Sequence, residues 1–136
     1  TFVLHGACNC GSVAFEIESD VKDIYICHCS ICRRWTGNTG VAVVVVPNNT
    51  FHWVRGKELV STWHKPDGDW QSSFCAKCGS ALPGKNDVER MFIPAGLLED
   101  SEGKLRVAAH IWVGSKASWD VIGGDGHQYQ RAFGDE

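Results

Sequence analysis

The sequence lacks several features that whole classes of protein require. No apolar run approaches the roughly 18 residues of a membrane-spanning helix. The longest candidate, Val41 to Val46, is only strand-sized. A helical membrane span is thereby excluded, and a soluble protein with no membrane partner is expected. No signal-like apolar segment opens the chain, which begins at Thr1 and not at methionine, so the loss of a preceding piece is allowed for. Lysine and arginine are nowhere concentrated. The 13 basic residues are scattered among 16 acidic ones, the formal net charge is -3 and the pI is near 6.0. A nucleic-acid partner needs a basic face, so none is expected. No helical apolar period is sustained for about 12 residues, and there is no repeat or low-complexity segment. A chain of 136 residues that is 43% hydrophobic then reads as one mainly β domain, residues 1–136. That length is enough to bury about two-thirds of its unfolded surface.

The strands are legible from period-two alternation. Val13, Phe15 and Ile17 against Ala14, Glu16 and Glu18 predict a half-buried strand, preceded by a short strand from Phe2 to Leu4. Cys8-Asn9-Cys10-Gly11 takes the turn between them, with Gly11 able to adopt a positive φ, so this cysteine pair sits at a hairpin tip. Asp23 to Ile26 reads as a strand entering the next cysteines, and Arg33 to Gly37 as a turn or single helical turn leaving them. Gly40 to Val46, almost all valine, predicts a central strand buried on both faces and ended by Pro47-Asn48-Asn49. Phe51 to Arg55, Leu59 to His64 and Trp70 to Phe74 read as an antiparallel meander running into Cys75-Ala76-Lys77-Cys78-Gly79. There follow a strand at Arg90 to Pro94, a loop through Leu97, Leu98, Glu99, Asp100 and Glu102, and a stretch from Leu105 to Val113. A helical turn at Ser115 to Ser118 and a flexible tail at Gly123 to Gly126 complete the reading.

The chain carries seven cysteines. Their odd number and the two Cys-x-Cys pairs argue against a disulfide framework and for a reducing, cytoplasmic compartment. In Cys27-His28-Cys29-Ser30-Ile31-Cys32, one short turn can aim three sulfurs at a point, as soft metals require. Cys8, Cys10, Cys75 and Cys78 form two further pairs, each followed by glycine, which together suit a closed tetrahedral site. Two zinc ions are therefore expected, one structural on those four cysteines and one on Cys27, Cys29 and Cys32 with a position open. Three thiolates weaken the Lewis acidity of that second ion. A thiol then fits the open position better than water, held as thiolate yet still nucleophilic, and this points to chemistry at a substrate sulfur. Deamination is disfavoured, since no ligand-like cysteine has a glutamate two positions later. Other readings stay open: a second closed site completed by His28, His52, His64 or His110, buried free thiols, or a redox pair Cys29/Cys32 that leaves Cys27 unexplained. Arg33, Arg34 and Lys65 offer charge to a carboxylate-bearing substrate, with Trp35, Trp63 and Trp70 as walls. For each taken singly, a solvated cation or a core aromatic is the competing reading.

The chain also resembles the glutathione-dependent formaldehyde-activating enzyme family, which includes centromere protein V. The likeness runs through Gly6-Ala7-Cys8-Asn9-Cys10-Gly11-Ser12-Val13-Ala14-Phe15-Glu16, Cys27-His28-Cys29-Ser30-Ile31-Cys32-Arg33-Arg34-Trp35-Thr36-Gly37 and Phe74-Cys75-Ala76-Lys77-Cys78-Gly79-Ser80. It extends to His110-Ile111-Trp112 and Ser115-Lys116-Ala117-Ser118-Trp119. The resemblance implies a zinc-stapled β-tent fold of antiparallel sheets, with the same division of the cysteines between two zincs. It further implies carbon-sulfur lyase chemistry in which a small thiol such as glutathione combines with formaldehyde to give S-hydroxymethylglutathione, with Cys27, Cys29 and Cys32 as the catalytic set. The competing expectation is a non-catalytic zinc-binding scaffold in which both zincs are structural.

Overall fold

The computed structural model describes residues 3–100 and 102–134, so Phe2 of the expected first strand lies outside the described residues. In chain order the elements are β1 (Val3–Ala7), β2 (Ala14–Glu18), β3 (Asp23–Cys27), α1 (Ser30–Thr36), β4 (Val41–Pro47), β5 (Phe51–Arg55) and β6 (Val60–His64). They continue with β7 (Gln71–Cys75), β8 (Ala81–Leu82), β9 (Gly84–Lys85), β10 (Arg90–Pro94), β11 (Leu98–Glu99), β12 (Arg106–Ile111) and β13 (His127–Gln128). The protein is mainly β, with three sheets among the described residues. Its contacts gather into two compact units, Thr1–Val21 with Val45–Gly103 and Lys22–Val44 with Lys104–Glu136. No helix of the described residues is long and apolar enough to cross a membrane.

In the first unit, β1 and β2 form a hairpin with Leu4 opposite Ile17 and Gly6 opposite Phe15. The alternation seen in the sequence puts Val13, Phe15 and Ile17 at 1% exposure or less. Full burial of each such side chain is worth about 1.5–3 kcal/mol. The expected meander forms only in its second half, where β6 and β7 pair antiparallel. β5 pairs with β2 instead of β6, which brings Phe51 and Trp53 against Phe15 in a cluster of tilted and edge-on rings. Aromatic cross-strand contacts of this kind outweigh mere sequence adjacency. A short 3-10 turn at Lys57–Leu59 then redirects the chain into a separate antiparallel sheet, β6-β7-β8. The loop expected around Leu98 contains β11, an edge strand on β1 with Leu98 opposite Gly6.

In the second unit the strand order is β13-β12-β3-β4. β3 and β4 are antiparallel, whereas β12 runs parallel to both β3 and β13, so antiparallel pairing is not universal. The valine strand β4 is not evenly buried on its two faces. Val41, Val44 and Val46 are buried, while Ala42, Val43 and Val45 are half-buried. The helix α1 starts at Ser30, three residues before the expected turn, because Cys29 caps it. The helical turn expected at Ser115 to Ser118 is a 3-10 turn at Val113–Ser115. The glycine-rich segment Gly123 to Gly126 is no free tail; it leads into β13, and Gly126 lies against Val107 and His110.

Candidate metal centres

The first centre grows out of two turns of the first unit. After β1 the chain reverses at Cys8-Asn9-Cys10-Gly11, where Gly11 N–H donates to the Cys8 carbonyl at 3.1 Å. After β7 it reverses at Cys75-Ala76-Lys77-Cys78-Gly79, where Gly79 N–H donates to the Cys75 carbonyl at 2.8 Å. Gly11 and Gly79 have φ of 79° and 80°, the left-handed region that a side chain would strain. The four sulfurs lie within 4.8 Å of one another, with Cys8 to Cys10 at 3.6 Å and Cys10 to Cys75 at 3.9 Å. A tetrahedron with metal–sulfur bonds of about 2.3 Å has sulfur–sulfur edges of about 3.8 Å, so the donor set fits one thiolate-bound ion. Cys8 and Cys75 are buried with Val13 and Leu82, and Cys10 and Cys78 face outward. An ion held there would join the sheet of β1 and β2 to that of β7 and β8.

Two serines that the sequence reading passed over complete this centre. Ser80 Oγ accepts from Asn9 N–H at 2.9 Å and lies 3.2 Å from Cys78 Sγ, so one hydroxyl touches both turns. Its contact is the leading cause that pulls the Cys78 thiol down to about 5. Ser12 does the same for Cys10, whose thiol is also lowered, and Ser12 Oγ accepts from Lys77 Nζ at 3.3 Å. The signal was present as a near-repeat, Cys10-Gly11-Ser12 and Cys78-Gly79-Ser80.

The second centre lies in the second unit. Cys27 ends β3, Cys29 is the N-cap of α1, and Cys32 is buried in its first turn. Their three sulfurs also lie within 4.8 Å of one another. Cys32 N–H donates to Cys29 Sγ at 3.4 Å, and His28 N–H donates to the Ile111 carbonyl at 3.0 Å, tying the segment to β12. Hydrogen bonds from Cys27 and Cys32, helped by the first amides of α1, hold the Cys29 thiol far below its usual range. The same sharing pushes Cys27 up to about 11 and Cys32 upward as well. Cys29 thus carries the cluster's first negative charge, and a soft cation would displace the remaining protons. Gly40 belongs to the centre too, since the Cys27 carbonyl sits where a Cβ at that position would stand.

No histidine joins this group among the described residues. His28 turns away from the sulfurs, with Nε2 2.9 Å from His110 Nδ1 and Nδ1 3.5 Å from Asp120 Oδ2. Both imidazoles are buried, and that burial pulls each below the ordinary 6.5. Nothing in the spacing revealed this row, because its members lie far apart in the chain. Of the expected substrate contacts, Arg33 is half-buried with Nε lacking a hydrogen-bond partner, Arg34 is exposed, and Trp35 is half-buried, all on α1. Lys65 lies in the first unit with Nζ 2.6 Å from Asp67 Oδ1, near exposed Trp63.

A mainly β frame carries one four-cysteine and one three-cysteine cluster, each of which could hold a metal ion on thiolates. The sequence profile of the glutathione-dependent formaldehyde-activating enzyme matches residues 3–115, and the chain belongs to that family. A Halomonas elongata protein named as a candidate glutathione-dependent formaldehyde-activating enzyme is 34% identical over 85 residues, 59% of this chain and 54% of its own length. The chain therefore spans about half the length of that curated relative. A crystal structure of a Rhodobacter sphaeroides protein is similar at a TM-score of 0.58 and 24% identity, covering 74% of this chain and 96% of that one, which shows a shared fold.

Proposed function

We propose that this protein is a zinc-dependent carbon-sulfur lyase that joins a small thiol to an aldehyde carbon and cleaves the adduct. Glutathione and formaldehyde, giving S-hydroxymethylglutathione, are the leading pair. The observation that carries the reading is a cluster of three thiols with no fourth protein ligand in its group among the described residues. All-sulfur donors select a soft metal, and zinc suits both clusters. Cys27, Cys29 and Cys32 would hold one ion, and Cys8, Cys10, Cys75 and Cys78 the other. Bound at the three-cysteine site, zinc would keep an incoming thiol ionised at neutral pH.

The chain's own residues supply the rest. Contacts from Cys27 and Cys32, helped by the first N–H groups of α1, favour the ionised form of Cys29, and Cys32 N–H aims its sulfur. Arg33, one residue beyond Cys32, has a buried Nε ready for an acceptor, which a carboxylate of the thiol substrate supplies. Arg34 and Trp35 flank it on the same helix as further contacts. Lys65 would have to leave Asp67 to take part, which makes it the weakest member of the set. In the forward reaction the thiol sulfur bonds to the carbonyl carbon, and the proton lost by the thiol ends on the carbonyl oxygen. Cys29→Ser should leave a folded protein that keeps the four-cysteine metal. It should lose turnover of S-hydroxymethylglutathione by more than the roughly 100-fold that loss of an outer-shell partner costs. Unchanged turnover in a folded Cys29→Ser protein would refute the reading.

A further inference from the structure

The four sulfurs of the first centre are not alike. Each turn sets one of them in the core and holds the other out to solvent. Cys8 and Cys75 are 5% and 1% exposed and pack with Val13 and Leu82. Cys10 and Cys78 are exposed. These two occupy the same place in their turns, since each is the second cysteine of its pair and each precedes a glycine in the left-handed region. The four sulfurs lie within 4.8 Å of one another, so Cys10 and Cys78 are neighbours although β2 through β7 lie between them in the chain.

Two exposed thiols side by side are what a two-electron oxidant requires. The first sulfur attacks a peroxide oxygen, the O–O bond breaks, and a sulfenic acid forms as one water leaves. The second sulfur attacks that sulfenic sulfur, the S–S bond forms, and the S–O bond breaks with loss of a second water. The two thiols give up two electrons and two protons, and hydrogen peroxide takes them up. A disulfide within either turn would need a sulfur that is packed in the core. Of the pairs in this centre, Cys10 and Cys78 alone join two exposed sulfurs.

We propose that Cys10 and Cys78 are an oxidation site, at which hydrogen peroxide forms a disulfide between the two turns and so empties the four-cysteine centre of metal. An ion on four thiolates would be left with two, too few to hold it. The new bond spans the same two turns that the ion would join, and it closes a long loop, which restrains the unfolded chain. The oxidised chain therefore stays folded without metal at this centre. Reduction by a thiol restores the four ligands. The inference does not rest on the lyase reading, since it involves neither the three-cysteine cluster nor a substrate.

The test leaves the ligands of this centre intact, so that misfolding of a variant does not enter the result. The zinc-loaded full chain is titrated with hydrogen peroxide, and released zinc, disulfide-linked peptides and circular dichroism are followed together after free thiols are blocked. Zinc is counted in Cys29→Ser as well, since that change disarms the other cluster. Cys10 and Cys78 should be lost to alkylation together and appear in one linked peptide pair, with Cys8 and Cys75 still free. Released zinc should rise in proportion to that pair while the spectrum is kept. The oxidised chain should then keep its spectrum in a chelator that unfolds the untreated chain, and a thiol reductant should abolish this resistance. Unreacted Cys10 and Cys78 at a peroxide level that oxidises free glutathione would overturn the proposal. So would a disulfide within either turn, zinc retained alongside the Cys10–Cys78 bond, or unfolding as that bond forms.

Discussion

Ser80 is the residue through which the two turns of the four-cysteine centre sense each other. Its hydroxyl accepts from the Asn9 amide and contacts Cys78 Sγ, so it stabilises a ligand of one turn while fixing the backbone of the other. Outer partners of this kind set the orientation and charge of metal ligands. Ser80→Ala should lower metal affinity at this centre by about 10-fold, measured by chelator competition. It should cost only about 1 kcal/mol of folding stability, because the bonds are exposed and water replaces them. Full retention of affinity would show that the hydroxyl does not tune the sulfur. Arg33 makes a contrasting case, a cation whose position one residue after Cys32 is evident in the sequence but whose unpartnered Nε is not.

Among the elements, the start of β4 and the end of β3 meet so closely that Gly40 has no room for a side chain against the Cys27 carbonyl. Gly40→Ala must push one strand aside at a cost of about 1–3 kcal/mol. The expected result is loss of metal at the three-cysteine centre with the four-cysteine metal retained, read by metal content per chain alongside the melting temperature. The cysteine clusters were legible in the sequence because each ligand pair or triplet is local, spaced by one or two residues. β2 was legible for the same reason, since Val13, Phe15 and Ile17 carry their alternation within one short segment. β5 was placed wrongly beside β6, because the aromatic packing of Phe51 and Trp53 on Phe15 is non-local and leaves no mark on spacing. β11 is two residues long, too short for any period, and β12 gains its parallel partner β3 from far upstream. His28 and His110 are 82 positions apart, so their pairing could not be read at all.

For the whole molecule, the two centres should part company under a chelator. The three-cysteine centre offers one protein ligand fewer, and its metal should leave first while the circular dichroism spectrum of the chain is kept. The four-cysteine metal should leave second, with loss of fold, because structural thiolate zinc supplies roughly 10–16 kcal/mol against a typical net stability of about 5–15 kcal/mol. Released metal and circular dichroism followed together would show two phases, and unfolding in the first phase would contradict this order. We further propose that residues 1–136 unfold as one domain in that second phase, since β4 begins in one unit and ends in the other. The distance along the chain between Cys10 and Cys75, 65 residues, also governs how the protein assembles. Each hairpin can form alone in about 1–10 μs, carrying half a coordination sphere. Bringing the halves together closes a long loop at an entropic cost of about 4 kcal/mol. An ion that arrives early is held by two sulfurs and exchanges, whereas one that arrives after closure is locked in. An ion bound by all four sulfurs would therefore offset the cost of an encounter between hairpins that the chain alone makes only briefly.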